Sequence, residues 1–140
     1  MTKKTDAAYD KLYFTRAAQT LRTHGILSIV FGSLGALAGL FVIALTVTAS
    51  GYAYNTSDLF GTMVFASLAL VFWIAPHIYM IIAGVYLIRY PKPSIARTLV
   101  IINLVIGIFT NLIILIFAII NLTEMRQYEE HYDTYLDTLE

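Results

Sequence analysis

The side chains that could do chemistry in this chain are few and far apart. Its three histidines are His24, His77 and His131, and no two of them have a spacing that would bring them to one metal ion. The chain has no cysteine, which excludes disulfides, thiolate nucleophiles and cysteine-ligated metals. No carboxylate pair lies in an apolar segment, and no glycine loop is followed by Lys-Ser or Lys-Thr for phosphate binding. The sequence therefore predicts a protein that is not an enzyme and uses no cofactor or metal.

His77 is the strongest single indication of function, because it lies directly after Pro76 inside a long apolar run. An ionisable group at membrane depth usually lines a polar path or has a specific partner. The ring could belong to such a path. It could instead be a neutral imidazole that bonds a backbone carbonyl freed by Pro76, or an asparagine of a neighbouring helix. We favour this structural interpretation, since the apolar runs contain no carboxylate that could relay a proton.

The apolar runs around these residues are long enough to cross a bilayer. Of the 140 residues 59% are hydrophobic and 13% are charged, whereas about a quarter of the residues of soluble proteins are charged. Runs of about 20 apolar residues span a hydrocarbon core ~30 Å thick. We predict one membrane domain of the all-α class, a helical bundle with three transmembrane helices at residues 25–49, 59–88 and 95–122.

The two ends of the chain are predicted to be amphipathic helices of opposite charge. Residues 1–24 contain five of the nine cations, and residues 123–140 contain six of the nine carboxylates and a tyrosine-rich stripe. The basic helix could lie on an anionic leaflet, or it could be a solvated extension that packs on the protein's own loops. The acidic helix would be repelled by an anionic leaflet, so we expect its stripe to contact protein. It could pair with the basic helix only if both lie on one side of the membrane.

One face of the first predicted span consists of small residues. They recur at four-residue spacing, which lets another helix approach closely, and the set is Ser28, Gly32, Gly35, Ala36 and Gly39. The spacing indicates helix packing without showing whether the partner is inside the chain or is another protein. In a three-helix protein we favour an internal partner.

Small and polar residues also fall close to one face of the third predicted span: Asn103, Gly107, Thr110, Asn111, Ala118 and Asn121. Side-chain amides on such a face bond across helix interfaces, at about 0.5–2 kcal/mol each. We predict a helix-packing role for Asn103, Gly107 and Asn111. The alternative is a narrow path in an oligomer, lined by these polar side chains and Thr110, with His77 as a further candidate.

The second predicted span is unusually long. Its thirty residues would make a helix of ~45 Å, so it must tilt or bend within the hydrocarbon core. Pro76 lies near its middle, removes one backbone hydrogen bond and crowds the carbonyl four residues back. We therefore predict a kink between Phe72 and Pro76.

Arg89, Lys92 and Arg97 are interpreted as topology determinants. They lie around the turn between the second and third predicted spans, whereas the loop between the first two contains no Lys or Arg. The cation bias predicts that this turn and the amino terminus are cytoplasmic, in what we take to be a bacterial cell membrane. With three spans the carboxyl terminus is then outside. The two prolines of the turn stop the second helix, Ser94 is expected to cap the third, and the turn is assigned no binding role.

An alternative topology breaks the third segment at Phe109-Thr110-Asn111 into a re-entrant hairpin, which would return the tail to the cytoplasm. Each arm would hold only 11 to 15 residues, about 17–22 Å of helix, which is too short to cross the membrane unaided. We therefore favour three spans.

The turn also resembles a known connection. The run Gly84-Val85-Tyr86-Leu87-Ile88-Arg89-Tyr90, followed by Lys92-Pro93 and Ala96-Arg97, is similar to the connection in many small uncharacterised bacterial membrane proteins. In those proteins a helix end of this kind leads through a Lys-Pro turn to Ala-Arg and another span. They also begin with a glycine-rich first helix, and many have four spans with a Pro-Ile-Gly break that this chain lacks. The resemblance implies a multi-span membrane protein and no catalytic residue.

We expect a non-enzymatic accessory or scaffold subunit that packs against a larger membrane complex or against itself. Its partners would be the lipid bilayer and other membrane subunits, or further copies in a homo-oligomer. A net charge of zero argues against nucleic acid. The first alternative is an oligomeric channel or small transporter subunit with the polar path described above. The second is a membrane-surface adaptor that recruits partners through either tail.

Overall fold

The computed structural model describes the backbone of residues 3–51 and 56–136 and the side chains of residues 16–49, 59–130 and 132. All secondary structure in these ranges is helical: α1 (Lys3–Gly51), α2 (Thr56–Ala69), a π-helical turn (Leu70–Ile74), α3 (Ala75–Ile88), α4 (Pro93–Thr110) and α5 (Leu112–Leu136). Three stretches are long and apolar enough to cross a membrane, namely Arg16–Ala49, Leu59–Ile88 and Pro93–Thr110. The predicted all-α membrane class is confirmed.

The chain forms two compact units. Unit 1 consists of Met1–Ser28 and Ala83–Glu140, and unit 2 consists of Ile29–Ile82. Helices α1 and α3 therefore each contribute to both units. The core of unit 1 is built mostly from small and aliphatic side chains of α1, α4 and α5, including Ala17, Leu21, Ala96, Val100, Ala118 and Met125.

The predicted amphipathic segment and the first span are one helix, because α1 continues without interruption through the predicted boundary between them. In unit 1, Ala17 and Leu21 of this helix are buried in the same cluster as Met125 of α5. Ala17 and Leu21 of the basic helix are thus buried beside helix α5, whereas the second interpretation placed this helix on loops. The side chains of residues 1–15 and 133–140, which belong to the predicted stripes of the two ends, lie outside the described residues.

The π-helical turn lies where Pro76 interrupts the hydrogen-bond ladder. Proline has no N–H, and its ring crowds the preceding turn of the helix. The backbone widens over Leu70–Ile74, so that the Ala75 N–H bonds the Leu70 carbonyl oxygen five residues back. The irregularity begins two residues before the segment Phe72–Pro76, where the sequence predicts a kink, and overlaps with it.

In unit 2 the small-residue face of α1 lies directly against α3 and the π turn. A Cβ at Gly32 would lie 2.7 Å from the His77 carbonyl oxygen and 2.9 Å from Ile81 Cγ1. A Cβ at Gly39 would lie 2.6 Å from Trp73 Cδ1. Only a residue without a side chain allows the helices to approach this closely. The partner of these glycines is therefore inside the chain.

Residues 95–122 do not form one continuous helix, so the predicted extent of the third span is wrong. Helix α4 ends at Thr110 and α5 begins at Leu112, which leaves Asn111 alone in an extended conformation (φ −161°, ψ 114°). The Asn111 N–H bonds the Gly107 carbonyl oxygen at 3.1 Å, and its side-chain oxygen accepts from the Ile113 N–H at 2.8 Å. One asparagine thus ends α4 and caps α5, because its amide oxygen satisfies a free N–H of the first turn.

Helices α4 and α5 are antiparallel. Close to the break, a Cβ at Gly107 would lie 2.8 Å from the backbone nitrogen of Leu115. At the far end, the Tyr128 hydroxyl donates to the Pro91 carbonyl oxygen at 2.9 Å, just before α4 begins. The reversal has the position that the hairpin alternative gave it. The acidic end of α5 consequently lies beside the turn before α4. One continuous helix over residues 95–122 would instead place the acidic segment at the membrane face opposite this turn.

The turn between α3 and α4 contains one strained residue. Tyr90 has φ +50°, in the left-handed region that residues with a Cβ rarely adopt. Lys92 is the N-cap of α4 without a side-chain hydrogen bond, and Pro93 is the first helical residue. The prediction that Ser94 caps this helix is wrong, because Pro93 suits the first helical position and so moves the helix start ahead of Ser94.

The close approach in unit 2 makes a prediction about stability. Gly32→Ala should lower the free energy of unfolding by about 1–3 kcal/mol, because its Cβ would meet a backbone carbonyl that cannot rotate away. Gly61→Ala is the matched control, since nothing lies within 4 Å of the Cβ position at Gly61. Thermal unfolding in mild detergent measures both. Equal stability of the two variants would contradict the described contact.

Candidate functional site

Four polar side chains meet in the apolar interior of unit 1. They come from three helices, with His24 and Ser28 on α1, Asn103 on α4 and Asn121 on α5. None of them is more than 3% exposed. Burying polar groups is costly unless they bond one another. This set, which we call the histidine cluster, is therefore the principal candidate for a structural or functional role.

The imidazole is the centre of the histidine cluster. Asn121 Nδ2 lies 3.1 Å from His24 Nδ1 and also donates to the Phe117 carbonyl oxygen at 2.7 Å. Asn103 Nδ2 lies 3.3 Å from His24 Nε2 and 3.2 Å from the Ser28 hydroxyl oxygen. Each ring nitrogen thus faces a side-chain amide of a different helix, and His24 links α4 to α5 through α1.

The bonding pattern selects one tautomer of a neutral ring. The Asn121 amino group donates to a carbonyl, so it also donates to Nδ1, and the ring proton lies on Nε2. A carbonyl oxygen is the complement of an N–H, so Asn103 pairs best with His24 when its amide oxygen faces the ring. In either orientation of that amide, one of its polar atoms has no partner among the described residues. Asn103 is therefore the least satisfied member of the histidine cluster.

In unit 2, His77 bonds the backbone. Its Nδ1 donates to the carbonyl oxygen of Trp73, one turn earlier, at 2.6 Å. The Trp73 and His77 rings have centroids 5.5 Å apart, and Trp73 Nε1 donates to the Gly35 carbonyl oxygen at 3.0 Å. The edge of the His77 ring occupies the place that a Cβ of Gly35 would take. The observed bond to a carbonyl in the π turn corresponds to the structural interpretation of His77.

The predicted packing residues fall in three places. Ser28 and Asn103 belong to the histidine cluster. Gly107 and Asn111 form the reversal between α4 and α5. The others lie in unit 2 on α1: Gly32, Gly35, Ala36 and Gly39. The structure thus brings together only some of these residues, because the reversal separates the stripe of the third predicted span into two helices.

Each residue of the predicted polar path has a hydrogen-bond partner of its own. Asn103 belongs to the histidine cluster, and Asn111 caps α5. Thr110 Oγ1 donates to the Ile106 carbonyl oxygen of its own helix at 2.8 Å. His77 bonds the π turn as described. Each of the four residues thus has at least one polar atom that is used for local structure.

His24 and Asn121 were not among the predicted site residues. His24 lies at the predicted boundary between the basic helix and the first span, and both asparagines that bond it are distant in sequence. Asn121 was part of the polar stripe, but its partner depends on the reversal at Asn111. One available signal was the spacing of His24 and Ser28, which are four residues apart and so share a helix face.

The described residues form three ion pairs at the charged end of unit 1: Arg16–Glu124 at 3.5 Å, Arg97–Glu129 at 2.8 Å and Arg126–Glu130 at 2.7 Å. The first two join α5 to α1 and to α4. The third lies within α5, where the hydrogen bond and negative charge of Glu130 raise the pKa of the Arg126 guanidinium. Exposed pairs contribute little to stability, so their effect is to orient the acidic end of α5.

The chemical capacity of these sites is limited. Among the described residues, no three His, Asp or Glu side chains are placed to hold a metal ion. The Ser28 hydroxyl is bonded to Asn103 rather than to the imidazole, so it is not activated as a nucleophile. Comparison with known proteins finds no matching family model, no matching curated protein and no matching solved structure. What the histidine cluster does in the structure is to link three helices.

The histidine cluster predicts a measurable coupling between helices. His24→Leu and Asn121→Leu should each destabilise the protein, because each leaves a buried polar partner without its bond. In the double variant the loss should be smaller than the sum of the two by about 0.5–2 kcal/mol. The free energy of unfolding of all four proteins in mixed micelles gives this coupling.

Thr98→Val is the control for this cycle. The Thr98 hydroxyl is exposed and donates to the Ser94 carbonyl oxygen of its own helix. Combined with Asn121→Leu, it should give an additive effect. A coupling of the same size for both pairs would show that the cycle does not report the histidine cluster.

Proposed function

We propose that this protein is a non-enzymatic accessory or scaffold subunit that packs with a larger membrane complex or with copies of itself. The observation that supports it most is the histidine cluster, in which the buried polar side chains of α1, α4 and α5 bond one another. Groups used in this way hold helices together and are not presented to a substrate. A protein built in this way acts through its outer surface.

Unit 2 offers a place for a partner helix. An open apolar cavity of about 480 Å³ is lined by residues of α1, α2 and the π turn, including Ala38, Gly39, Val42, Phe65, Ala69 and Phe72. Small residues between aromatic ones leave room for a large side chain of another helix, and small residues favour close helix association in membranes. We take the occupant to be an apolar transmembrane helix of the partner subunit or of a second copy.

A channel or small transporter subunit has less support. Asn103, Thr110, Asn111 and His77 would have to exchange their present hydrogen bonds for bonds to water or ions. No described observation favours such an exchange, so we do not propose this function.

For the orientation, we propose that both termini lie on the cytoplasmic side of a bacterial cell membrane. The cations of the amino-terminal segment and of the turn before α4 support a cytoplasmic position for both. The acidic end of α5 pairs with Arg16 and Arg97, which supports the same side for the carboxyl terminus. This replaces the expectation of an outside carboxyl terminus, which assumed one long third helix.

Filling the cavity in unit 2 should abolish partner binding. Ala38→Phe places a ring in the cavity, whereas Ala44→Phe adds the same ring at an exposed position that does not line it. The readouts are the oligomeric mass in mild detergent and the membrane subunits that co-purify in fixed stoichiometry. We expect Ala38→Phe to lose the assembly and Ala44→Phe to keep it. A wild-type protein that purifies alone as a monomer, or equal behaviour of the variants, would contradict the proposal.

The orientation can be tested with single cysteines, because the natural chain has none. Ser94→Cys reports the start of α4, Glu130→Cys reports the acidic end of α5, and Asn55→Cys reports the segment between α1 and α2. A membrane-impermeant maleimide should label the first two from the same side and the third from the opposite side. Labelling of Glu130→Cys from the same side as Asn55→Cys would disprove the proposed orientation.

A further inference from the structure

Three cations at the charged end of unit 1 have no ion-pair partner among the described residues: Arg22, Arg89 and Lys92. All three side chains are exposed. The described carboxylates of α5 are already used, since Glu124, Glu129 and Glu130 each pair with another arginine. We call these three cations the basic site. No carboxylate among the described side chains remains for them, so they can pair with an anion from outside the chain.

Helix packing brings Arg22 to the end of α3. A Cβ at Gly25 would lie 2.8 Å from the Gly84 carbonyl oxygen and 3.0 Å from Ile88 Cγ1. Toward its amino terminus, α1 approaches the acidic end of α5, which bonds the turn after α3. Arg22 lies about one helical turn before Gly25 in that direction, and Arg89 follows the last residue of α3. Arg22 and Arg89 therefore lie at the same end of the helix pair.

The turn that carries Arg89 and Lys92 is held in one conformation. Tyr90 lies between them with φ +50°, which is disfavoured for a residue with a Cβ. The Pro91 carbonyl oxygen accepts a hydrogen bond from Tyr128 at 2.9 Å, which ties the turn to α5. A strained backbone persists where its surroundings determine it, and such residues cluster at ligand sites. The backbone that carries the two cations is thus held in place by α5.

Exposed apolar side chains border the basic site. Tyr86, one turn before Tyr90, is 55% exposed, and Ile95, in the first turn of α4, is 46% exposed. Tyrosines at the end of a membrane helix lie at headgroup depth. Cations beside apolar surface at this depth suit a ligand that has both a charged head and hydrocarbon chains. A soluble anion would bind the cations but would not contact the apolar surface.

We propose that Arg22, Arg89 and Lys92 bind the phosphate of an anionic phospholipid whose acyl chains lie along Tyr86 and Ile95. Guanidinium and ammonium groups form charge-assisted hydrogen bonds to phosphate oxygens. This role is additional to that of a topology determinant. The cation bias requires positive charge on one side of the membrane, but it does not require the cations to be arranged around one ligand. The proposal does not depend on the accessory role described above.

The experiment uses the full-length protein in mild non-ionic detergent. Bound lipid is measured by native mass spectrometry during titration with dioctanoyl phosphatidylglycerol, with dioctanoyl phosphatidylcholine and inorganic phosphate as separate arms. We expect preferential binding of phosphatidylglycerol that millimolar phosphate does not displace. Lys92→Gln should weaken it roughly fivefold, and the double variant with Arg89→Gln more than tenfold.

Arg126→Gln is the matched control, because it also removes one exposed cation but that cation is paired with Glu130. It should change the affinity less than twofold. Equal binding of the two lipids, or equal losses in Lys92→Gln and Arg126→Gln, would overturn the proposal. Displacement by inorganic phosphate would identify a soluble-anion site and would overturn the lipid assignment. Lys92 is an exposed side chain, so Lys92→Gln should stay folded. A loss of lipid binding in this variant would then reflect the loss of the cation.

Discussion

A polar side chain inside an apolar helix bundle has to bond another polar group, and unit 1 depends on this constraint. His24 meets it with two asparagines that follow it by 79 and 97 residues. These bonds align α4 with α5, and that alignment requires the chain to reverse at Asn111. The reversal in turn brings the acidic end of α5 to the cations of α1 and α4. One side chain of α1 thus bonds polar groups of both α4 and α5.

Features that follow from a local rule could be predicted from the sequence. Pro76 removes a hydrogen bond wherever it lies in a helix, so the irregularity before it was predictable. Length and apolarity alone indicate the membrane helices. The spacing of Gly32 and Gly39 indicates a flat face, although the identity of the partner helix depended on the fold. These inferences need a residue and its neighbours along the chain and nothing else.

The histidine cluster could not be predicted in this way, and the reversal could be placed only as an alternative to one long helix, because both depend on partners distant in sequence. His24 looks like an interface residue until α4 and α5 are placed around it. Asn111 has no proline or glycine beside it, and an asparagine in an apolar run is equally suited to packing between helices. Its capping bond to Ile113 becomes possible only when the chain turns back. These features depend on tertiary contacts between polar groups, and the helix propensity of a single residue does not indicate such contacts.

In the proposed orientation, the acidic end of the chain never leaves the compartment in which the ribosome makes it. Residues 124–140 contain six carboxylates, and moving ionised carboxylates through hydrocarbon is expensive. If α4 and α5 enter the bilayer together as a hairpin, all of these charges stay in water during biogenesis. The leading point of insertion is then the apolar tip of the hairpin, where Phe109 is 82% exposed. An insertase would then have to accept the apolar tip of this hairpin, and it would not have to translocate a charged segment across the membrane.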